Sequence, residues 1–489
     1  MTRLFLGALK FILVVMVFTA SYQWWRPLPD TLLPFSNEYN VPDSSVKFFA
    51  DYTYVDKNGE RKTEQEIWDR AFTLIGGASH YMLFDLSLFN DFQSQVPETT
   101  RALSYELAQK ISDKLSVDRH IAVALIADPV NTLYGGMLSA QQTILRKAGV
   151  VIIEPDLTVF RDPNLLFSSL WRPFFSWWGN STTGGWLPHP YQSVGSKITL
   201  RTWLHVLNLK ADERNLFVVD QTVGKGVKTS SQKMVSFITS AVLADGASAD
   251  GNVALEVRDG IWKNVVENER RLAQVSGRAI VSYDSALTLD ETGPVRVQLI
   301  SETMIKDAIL RLLAGAKHGD MLQLVLHHLS ERDIIAAIID ASNRGAIIRI
   351  ILDPGLSEAR FDVYGLPNRP VAKELVNKSL SGITIRWCDT HREQCRANFF
   401  SGHSASSTFM MLGSADFTRR DLDGFNLTTD ILASADAPFT AWNDGAKYFN
   451  RMWDNEDGSF TTSYDVYADN TLWRSSVYRM MERTGLNTF

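Results

Sequence analysis

The sequence repeats one order of landmarks, and this repeat limits the folds that the chain can adopt. Each copy has a helical pattern, a hydrophobic strand, a second helix, a strand that closes on Asp-Pro, and a glycine before a β-branched strand. The landmarks are 77–80, Pro129 and 149–153 in the first copy, and 315–318, Pro354 and 382–385 in the second. Helices that alternate with near-continuous apolar strands predict α/β units whose sheets are covered on both faces. The predicted fold class is therefore α/β, with two similar repeats packed about a pseudo-two-fold axis.

The repeat also predicts the domain organisation. A chain of 489 residues is too long for one ordinary core and indicates two domains or one duplicated domain. We expect the first repeat at 61–295 and the second at 296–489. A site at their junction would take one set of residues from each repeat, whereas two similar domains without a shared site remain an alternative.

The N-terminus predicts a membrane anchor. Arg3 and Lys10 precede or interrupt an apolar run over 4–20, and Trp24 and Trp25 follow it. Basic residues stay on the cytoplasmic side and tryptophans favour the bilayer boundary. We expect an anchor at 1–25 and a tether at 26–60, with the rest of the chain on the periplasmic side of a bacterial inner membrane. The run is short for a span, so a cleaved signal peptide remains an alternative.

Composition narrows the partners and cofactors. The net charge of −6 argues against a nucleic-acid partner bound through a broad basic surface. Cys388 and Cys395 are the only cysteines, so either one bridge or two free thiols is expected. The sequence has neither a metal-ligand spacing nor a glycine-rich nucleotide loop, and we expect no metal and no cofactor.

The sequence contains the segments LNLKADERNLFVVD at 207–220, THREQCRANFF at 390–400 and LGSADFTRRDLDGFNL at 412–427. These segments resemble the phospholipase D superfamily, most closely its membrane-anchored, cardiolipin-synthase-like bacterial branch. Residues 207–220 read LNLKADERNLFVVD and resemble the branch's LNxKANHRKxxxxD, the first HxKxxxxD motif. Residues 390–400 read THREQCRANFF and resemble THxEQFHxKxx, the second motif. Residues 412–427 read LGSADFTRRDLDGFNL and resemble LGSANFTRRNLxxxNLE, which fixes the register of the second motif.

The resemblance implies a mechanism that this chain departs from at each reacting position. In the family one histidine attacks phosphorus, the other protonates the leaving alcohol, and the lysines stabilise the phosphate oxygens. Glu213 and Asn215 replace the first histidine and lysine, and Arg396 and Asn398 replace the second pair. Asp220 alone stays in place.

Two further positions depart from the pattern. His403 stands at the spacing of the second aspartate, and Asp416 replaces the GSAN asparagine. A test independent of register gives the same answer, because no histidine is followed two residues later by lysine. The histidines are 80, 120, 189, 205, 318, 327, 328, 391 and 403.

The replaced residues suggest two alternatives for the altered site. Arg396 stays protonated and so cannot act as nucleophile or proton shuttle, but it can grip a phosphate. Glu213 and Arg396 could instead form an ion pair that fills the site. The resemblance also implies that Ser230, Ser231 and Ser414 line the phosphate pocket, although turn residues explain them equally well.

Three histidines are candidates for a functional group. His403, in a Ser- and Gly-rich stretch typical of a flexible loop, is the candidate for a rescued nucleophile. His327 and His328 lie in a strand-like run, where we expect them to alternate faces and to be ordinary core or rim residues.

An aromatic segment at 165–191 predicts contact with lipid. Its aromatic residues recur at nearly helical spacing, and tryptophan favours the head-group boundary. A helix buried against the repeat is the alternative. The expected lipid-interface residues are Trp171, Phe174, Phe175, Trp177 and Trp178.

These observations predict a membrane-anchored phospholipase D-like protein that has lost catalysis. We expect it to bind membrane phospholipid or a protein partner, such as an active paralogue. The alternative is a working phospholipase D or phosphatidyltransferase that uses a non-standard histidine such as His403.

Overall fold

The structure is a computed structural model, which describes residues 2–29, 32, 35–93, 99–192, 195–223, 231–281, 292–356, 365–380, 382–471 and 473–486. The helices are α1 (Thr2–Trp25), α2 (Ile67–Gly77), α3 (Leu103–Val117), α4 (Ala140–Ala148), α5 (Leu165–Phe174), α6 (Leu200–Val206), α7 (Trp262–Val275), α8 (Thr303–Gly315), α9 (Arg332–Asn343), α10 (Asn368–Lys378), α11 (Arg419–Leu422), α12 (Thr440–Asp454) and α13 (Arg474–Thr484). Strands in the first half are β1 (Glu38–Val41), β2 (Val46–Asp56), β3 (Arg61–Glu64), β4 (Tyr81–Leu86), β5 (Phe89–Asn90), β6 (Ala122–Ala127), β7 (Val151–Ile153), β8 (Asn215–Val223), β9 (Ser231–Thr239), β10 (Leu243–Ala244) and β11 (Asn252–Arg258). Those in the second half are β12 (Val295–Ser301), β13 (Met321–Leu326), β14 (Ile347–Leu352), β15 (Ile383–Cys388), β16 (Phe399–His403), β17 (Thr408–Gly413), β18 (Thr429–Ala435), β19 (Gly458–Ser459) and β20 (Thr461–Ser463).

Two large sheets have the same strand order, which confirms the predicted α/β class and the repeat. The first sheet runs β2-β11-β9-β8-β4-β6-β7, and the second runs β12-β18-β17-β16-β13-β14-β15. Within each sheet the last three strands are parallel and the others are antiparallel. Each of these seven strands of one sheet therefore has a counterpart in the other, and the short strands β1, β3, β19 and β20 are added at the edges.

The core has layers of the kind that the apolar strands predict. One cluster of buried residues joins the two sheets and includes Leu216, Leu255, Phe399 and Leu412. Each sheet has one further cluster of buried residues, which lies between the sheet and its outer helices. The helices reach these clusters through apolar residues at helical spacing, as in α3, where every fourth residue from Leu103 is buried. Both faces of each sheet are covered.

Part of the predicted tether, over 38–41 and 46–56, lies in the two sheets. β1 pairs with β12 in the second sheet, and β2 pairs with β11 in the first. This stretch therefore connects the two repeats through backbone hydrogen bonds. Proline and polar residues suggested a linker, but the sequence of β2, VKFFADYTYVD, is rich in the β-branched and aromatic residues that favour strands.

The N-terminal helix α1 has the length and composition of a membrane anchor. Arg3–Trp25 is long and apolar enough to cross a bilayer, and in the described part of the chain no other helix is. At 1.5 Å per residue it extends about 35 Å, against about 30 Å for the hydrocarbon core. One face of α1 packs on α5, where Gln23 is buried, and the rest of its surface is exposed.

Candidate functional site at the junction of the repeats

A buried asparagine organises the corner of each repeat beyond the central parallel strands. In the first repeat, Asn131 Oδ1 accepts a hydrogen bond from the backbone N–H of Phe89 (2.7 Å). Its Nδ2 donates to the carbonyl oxygens of Ser87 and Asp128, both at 3.0 Å. The amide thereby fixes the segment that follows β4 to the segment that follows β6.

The second repeat makes the same contacts. Asn368 Oδ1 accepts from the N–H of Leu329 (2.9 Å), and its Nδ2 donates to the carbonyls of His327 (2.6 Å) and Asp353 (2.8 Å). The pseudo-two-fold relationship therefore extends to individual hydrogen bonds. It also makes His327 the counterpart of Ser87, which the sequence pattern did not reveal.

The two segments that resemble the family motifs meet at the junction through backbone hydrogen bonds. The N–H of Glu213 donates to the carbonyl of Leu427 (2.8 Å), and the N–H of Leu427 donates to the carbonyl of Ala211 (3.1 Å). On the other side of the axis, the N–H of Arg396 donates to the carbonyl of Gly251 (2.9 Å). Each motif is thus paired with the opposite repeat, and both face one shared site.

Glu213 and Arg396 do not form the predicted ion pair. Glu213 Oε1 instead accepts a hydrogen bond from Asn426 Nδ2 (2.8 Å). The Nε of Arg396 lies 4.0 Å from Asp250 Oδ2, and its Nη1 donates to Gln394 Oε1 (3.0 Å). Among the described residues, no contact within 4.0 Å joins the two motif side chains. In place of this ion pair, each of the two side chains contacts a residue of the opposite repeat: Glu213 contacts Asn426, and Arg396 lies near Asp250.

Burial and neighbouring charges make the junction acidic. Burial raises the pKa of Glu213, Asp416 raises it further, and Arg420 and Arg396 oppose the shift. Burial also raises the pKa of Asp421 well above its ordinary value, with added repulsion from Glu213 and Asp416. Glu213 and Asp421 therefore hold their protons more tightly than exposed carboxyl groups do, and both lie near Asp416 at the junction.

The residues at the two lysine positions are engaged inside the protein. Asn215 Oδ1 accepts from the backbone N–H (3.2 Å) and the hydroxyl (2.9 Å) of Ser87. Asn398 Oδ1 accepts from the N–H of His327 (3.4 Å), and its Nδ2 donates to Asp416 Oδ1 (2.9 Å). These amides hold the loops together and bring no positive charge to the site.

His327 and His328 lie at this site and do not alternate faces. β13 ends at Leu326, and beyond it the chain bends so that the two imidazole centroids are 3.8 Å apart. The Nδ1 atoms of His327 and His328 lie 3.2 and 2.8 Å from Asp416 Oδ2. The expectation of ordinary core histidines therefore missed a cluster. Its signal in the sequence was Asp416, a carboxylate at a position where the family has an amide.

The pKa values of this cluster reflect mutual stabilisation. Burial tends to raise the pKa of Asp416, but the contacts with His327 and His328 hold it well below its usual range. Burial and the charge of His328 lower the pKa of His327, while Asp416 opposes this shift. The carboxylate of Asp416 is therefore ionised and accepts a hydrogen bond from each of the two imidazole rings or forms an ion pair with them.

Asp220 and His403 both lie away from the junction, Asp220 inside β8 and His403 at the end of β16. Asp220 Oδ1 accepts from the backbone N–H groups of Ser79 (3.1 Å), His80 (2.9 Å) and Tyr81 (2.9 Å). His403 is the exposed last residue of β16 and pairs with Thr408. It is five residues from Asn398, about 15 Å or more along a strand. The prediction that His403 occupies a loop near the site is therefore wrong.

The serine predictions have different outcomes. Ser414 is buried, and its Oγ accepts from the N–H of Thr429 (3.0 Å), so it joins β17 to β18. In the first repeat, Ser240 Oγ makes the same contact with the N–H of Val253 (3.1 Å). Ser240 is thus the counterpart that sequence comparison missed.

Neither serine proposed for the first repeat can be placed in the pocket. Ser230 lies outside the described residues. Ser231 begins β9, whereas Ser240 follows the end of the same strand. The two ends of this strand are about 25 Å or more apart at the usual rise, so Ser231 begins the strand at the end that is remote from the junction.

A disulfide bond joins Cys388 to Cys395, which decides between the bridged and free alternatives. Cys395 directly precedes Arg396, and its backbone N–H donates to Asp353 Oδ2 (2.8 Å). The bond therefore helps to fix the segment that carries the second motif.

The aromatic segment is partly buried and partly exposed. Trp171 is only 3% exposed, because it packs under the guanidinium of Arg201 (4.3 Å to the ring centroid) and beside His205. Its prediction as a lipid-interface residue is wrong. Trp177 and Trp178 are 73% and 41% exposed.

The two phenylalanines of the predicted interface are half-buried. Phe174 ends α5, and Phe175 follows it with its ring 5.1 Å from that of Trp178. The exposed tryptophans therefore follow the helix on which the anchor α1 packs.

Comparisons with known proteins agree with the fold. Residues 309–453 match the family model described as cardiolipin synthase, PLD-like domain. The structure of phosphatidylserine synthase from Haemophilus influenzae Rd KW20 is similar, with a TM-score of 0.51 and 9% identity over 93% of this chain and 95% of that one. Nuc, a phospholipase D family member from Salmonella typhimurium, matches 35% of this chain and 99% of its own length, with a TM-score of 0.27 and 14% identity. No curated protein sequence matches significantly.

Proposed function

Residues 309–453 match the family model of the cardiolipin synthase, PLD-like domain, and we propose that the whole chain is a membrane-anchored member of the phospholipase D superfamily without phosphohistidine catalysis. In this proposal its fold lies against the phospholipid surface on the periplasmic side of a bacterial inner membrane. It binds phospholipid there, or a protein partner such as an active relative.

The fate of the four motif positions carries the proposal. Glu213, Asn215, Arg396 and Asn398 lie at the junction, where the family mechanism needs two histidines and two lysines. None of the four can form a phosphohistidine, and arginine stays protonated near neutral pH. The two amides are engaged with the loops, and Arg396 lies against Asp250.

The charge of the junction supports the same conclusion. A phosphodiester at the junction would meet the carboxyl groups of Glu213, Asp416 and Asp421. The charge of Asp416 raises the pKa values of the other two, and His327 and His328 compensate the charge of Asp416 itself. Two like charges about 4 Å apart repel by about 1–4 kcal/mol, depending on the local dielectric. An anionic head group is therefore disfavoured where the family binds its substrate.

The position of the exposed tryptophans supports contact with lipid. Trp177, Trp178 and Trp186 are exposed, and the first two follow α5, which packs on the membrane-anchor helix α1. A tryptophan side chain is stabilised at the head-group boundary because its ring is apolar and its N–H is polar. The anchor and these side chains would hold the domain close to the bilayer.

One observation favours the alternative of an active enzyme. His328 lies at the junction, 2.8 Å from Asp416, in the kind of His–carboxylate contact that orients a catalytic imidazole. A working phosphatidyltransferase would have to use this residue or His327, since His403 is distant from the site.

An assay on full-length protein separates the two functions. The protein would be incubated with radiolabelled phosphatidylglycerol in mixed micelles, then quenched and examined for phosphoprotein and released head group. We expect neither product. Turnover that His328→Ala abolishes and His403→Ala leaves intact would overturn the proposal. Co-purification from native membranes would then identify a protein partner.

A further inference from the structure

We propose that His327, His328 and Asp416 form a binding site for a divalent transition-metal ion, with Zn²⁺ as the best-fitting ion. The two Nδ1 atoms lie 3.2 and 2.8 Å from Asp416 Oδ2, and the three ligand atoms all lie within 4.8 Å of one another. An ion bound by two imidazoles and a carboxylate at about 2.0–2.2 Å needs ligand atoms that converge in this way.

The carboxylate is held in one orientation. Asn398 Nδ2 donates to Asp416 Oδ1 (2.9 Å), and the backbone N–H of Asp416 donates to Asp421 Oδ2 (2.9 Å). One carboxylate oxygen is therefore used by the protein, and the other is aimed at the imidazoles. Contacts of this kind orient metal ligands and raise their affinity.

The two imidazoles are also held by their backbone. The N–H of His327 contacts Asn398 Oδ1, and its carbonyl accepts from Asn368 Nδ2 (2.6 Å). The carbonyl of His328 accepts from the N–H of Phe417 (3.0 Å). The three ligands are thus organised before any ion binds, which lowers the entropic cost of binding.

The ligand types select among metals. Imidazole nitrogen favours zinc and its neighbours over magnesium and calcium, which prefer oxygen ligands. Three protein ligands leave one tetrahedral position for water or for an oxygen of a bound molecule. Because Cys388 and Cys395 are bonded to each other, thiolates do not compete for the ion.

A dication would also compensate the charge of the junction. Glu213, Asp416 and Asp421 meet there, and the lysines of the family motifs are replaced by Asn215 and Asn398. A bound ion would return positive charge to this pocket, so that an anionic oxygen could approach it.

Metal titration of the full-length protein tests the site directly. The protein would be purified in detergent with a histidine-free affinity tag, stripped with chelator, and titrated with Zn²⁺ by calorimetry and with Co²⁺ by absorption spectroscopy. We expect one ion per chain and a Co²⁺ spectrum with the intensity of a four-coordinate site.

Variants assign the ligands. Asp416→Asn and His328→Ala should each weaken Zn²⁺ binding at least about 100-fold, and Asn398→Ala about 10-fold. His80→Ala is the matched control, because His80 also contacts a carboxylate, that of Asp220 at 3.2 Å, but is not part of the cluster at the junction. It should leave binding unchanged.

Two results would overturn the proposal. One is the absence of stoichiometric Zn²⁺ binding by the wild-type protein, which would leave the cluster as a hydrogen-bonded triad. The other is unchanged affinity in Asp416→Asn, an isosteric variant whose thermal unfolding in chelator serves as the check on folding.

Discussion

Arg396 of the second repeat lies 4.0 Å from Asp250 of the first, so a motif residue is paired across the junction. The pseudo-two-fold axis relates this contact to the hydrogen bond between Asn426 and Glu213. Asp250 and Asn426 also accept from the backbone two residues before each motif position, at 2.8 and 3.2 Å. The altered site is therefore filled by two equivalent cross-repeat contacts, and not by an ion pair along the axis.

The Asp250 contact predicts a specific pH dependence of stability. Burial raises the pKa of Asp250 to about 7, although Arg396 lowers it. The folded state thus binds more protons than the unfolded state between about pH 4 and pH 7, and stability falls as pH rises through this range. Asp250→Asn should remove this fall. The difference in free energy of unfolding between the variant and wild type should therefore shift in favour of the variant by on the order of 1–4 kcal/mol between pH 5 and pH 8.

Denaturant unfolding in detergent at the two pH values measures this difference. Asp436→Asn, at an exposed carboxylate, is the control and should show no such change. Parallel pH profiles for Asp250→Asn and wild type would contradict the prediction.

Asp220 should act in folding and not in binding. It accepts three backbone N–H groups with one oxygen, and Asp220→Ala would leave these donors unsatisfied. We expect a loss of about 2–4 kcal/mol, with a smaller loss for Asp220→Asn because an acceptor is retained. His403→Ala, at the matched position of the second repeat, should cost less than about 1 kcal/mol. Equal losses for Asp220→Ala and His403→Ala would refute this role.

Glu213 should limit the affinity of the junction for anions. Glu213→Gln keeps an acceptor for Asn426 and removes a negative charge near Arg396. Glycerophosphate should then bind several-fold more tightly, which corresponds to about 1 kcal/mol. Calorimetry measures the change, and Glu456→Gln at an exposed position is the control. An unchanged or weaker affinity in Glu213→Gln would show that this charge does not govern anion binding.

Trp177 should contact lipid, whereas Trp171 should not. In vesicles that contain brominated phosphatidylglycerol, bromine quenches the fluorescence of tryptophans at the head-group boundary. Trp177→Ala should reduce the quenched fraction, since its ring is 73% exposed next to the anchored helix pair. Trp473→Ala removes a ring of 53% exposure elsewhere and should not. An equal reduction in both variants would argue against a lipid-facing role for Trp177.

Part of the site was open to prediction from sequence. The register of the second motif placed Arg396 and Asn398 correctly at the junction, because a motif at a strand start is a local pattern. The proposed catalytic role of His403 did not take account of this strand. His403 is seven residues after Arg396, at the end of β16 that is remote from the junction, as Asp220 is seven residues after Glu213 in the first repeat. The pairing of Asp250 with Arg396 had no local signal.

The sequence alone determined the α/β repeat and predicted the loss of the motif chemistry. Apolar periodicity sets which elements form, and a phosphohistidine requires a histidine. Only the tertiary structure decided the partners at the junction: Arg396 with Asp250, Glu213 with Asn426, and two imidazoles with Asp416. These contacts join residues far apart in the chain, so they depend on how the two sheets pack and on a bend after β13 that periodicity does not encode.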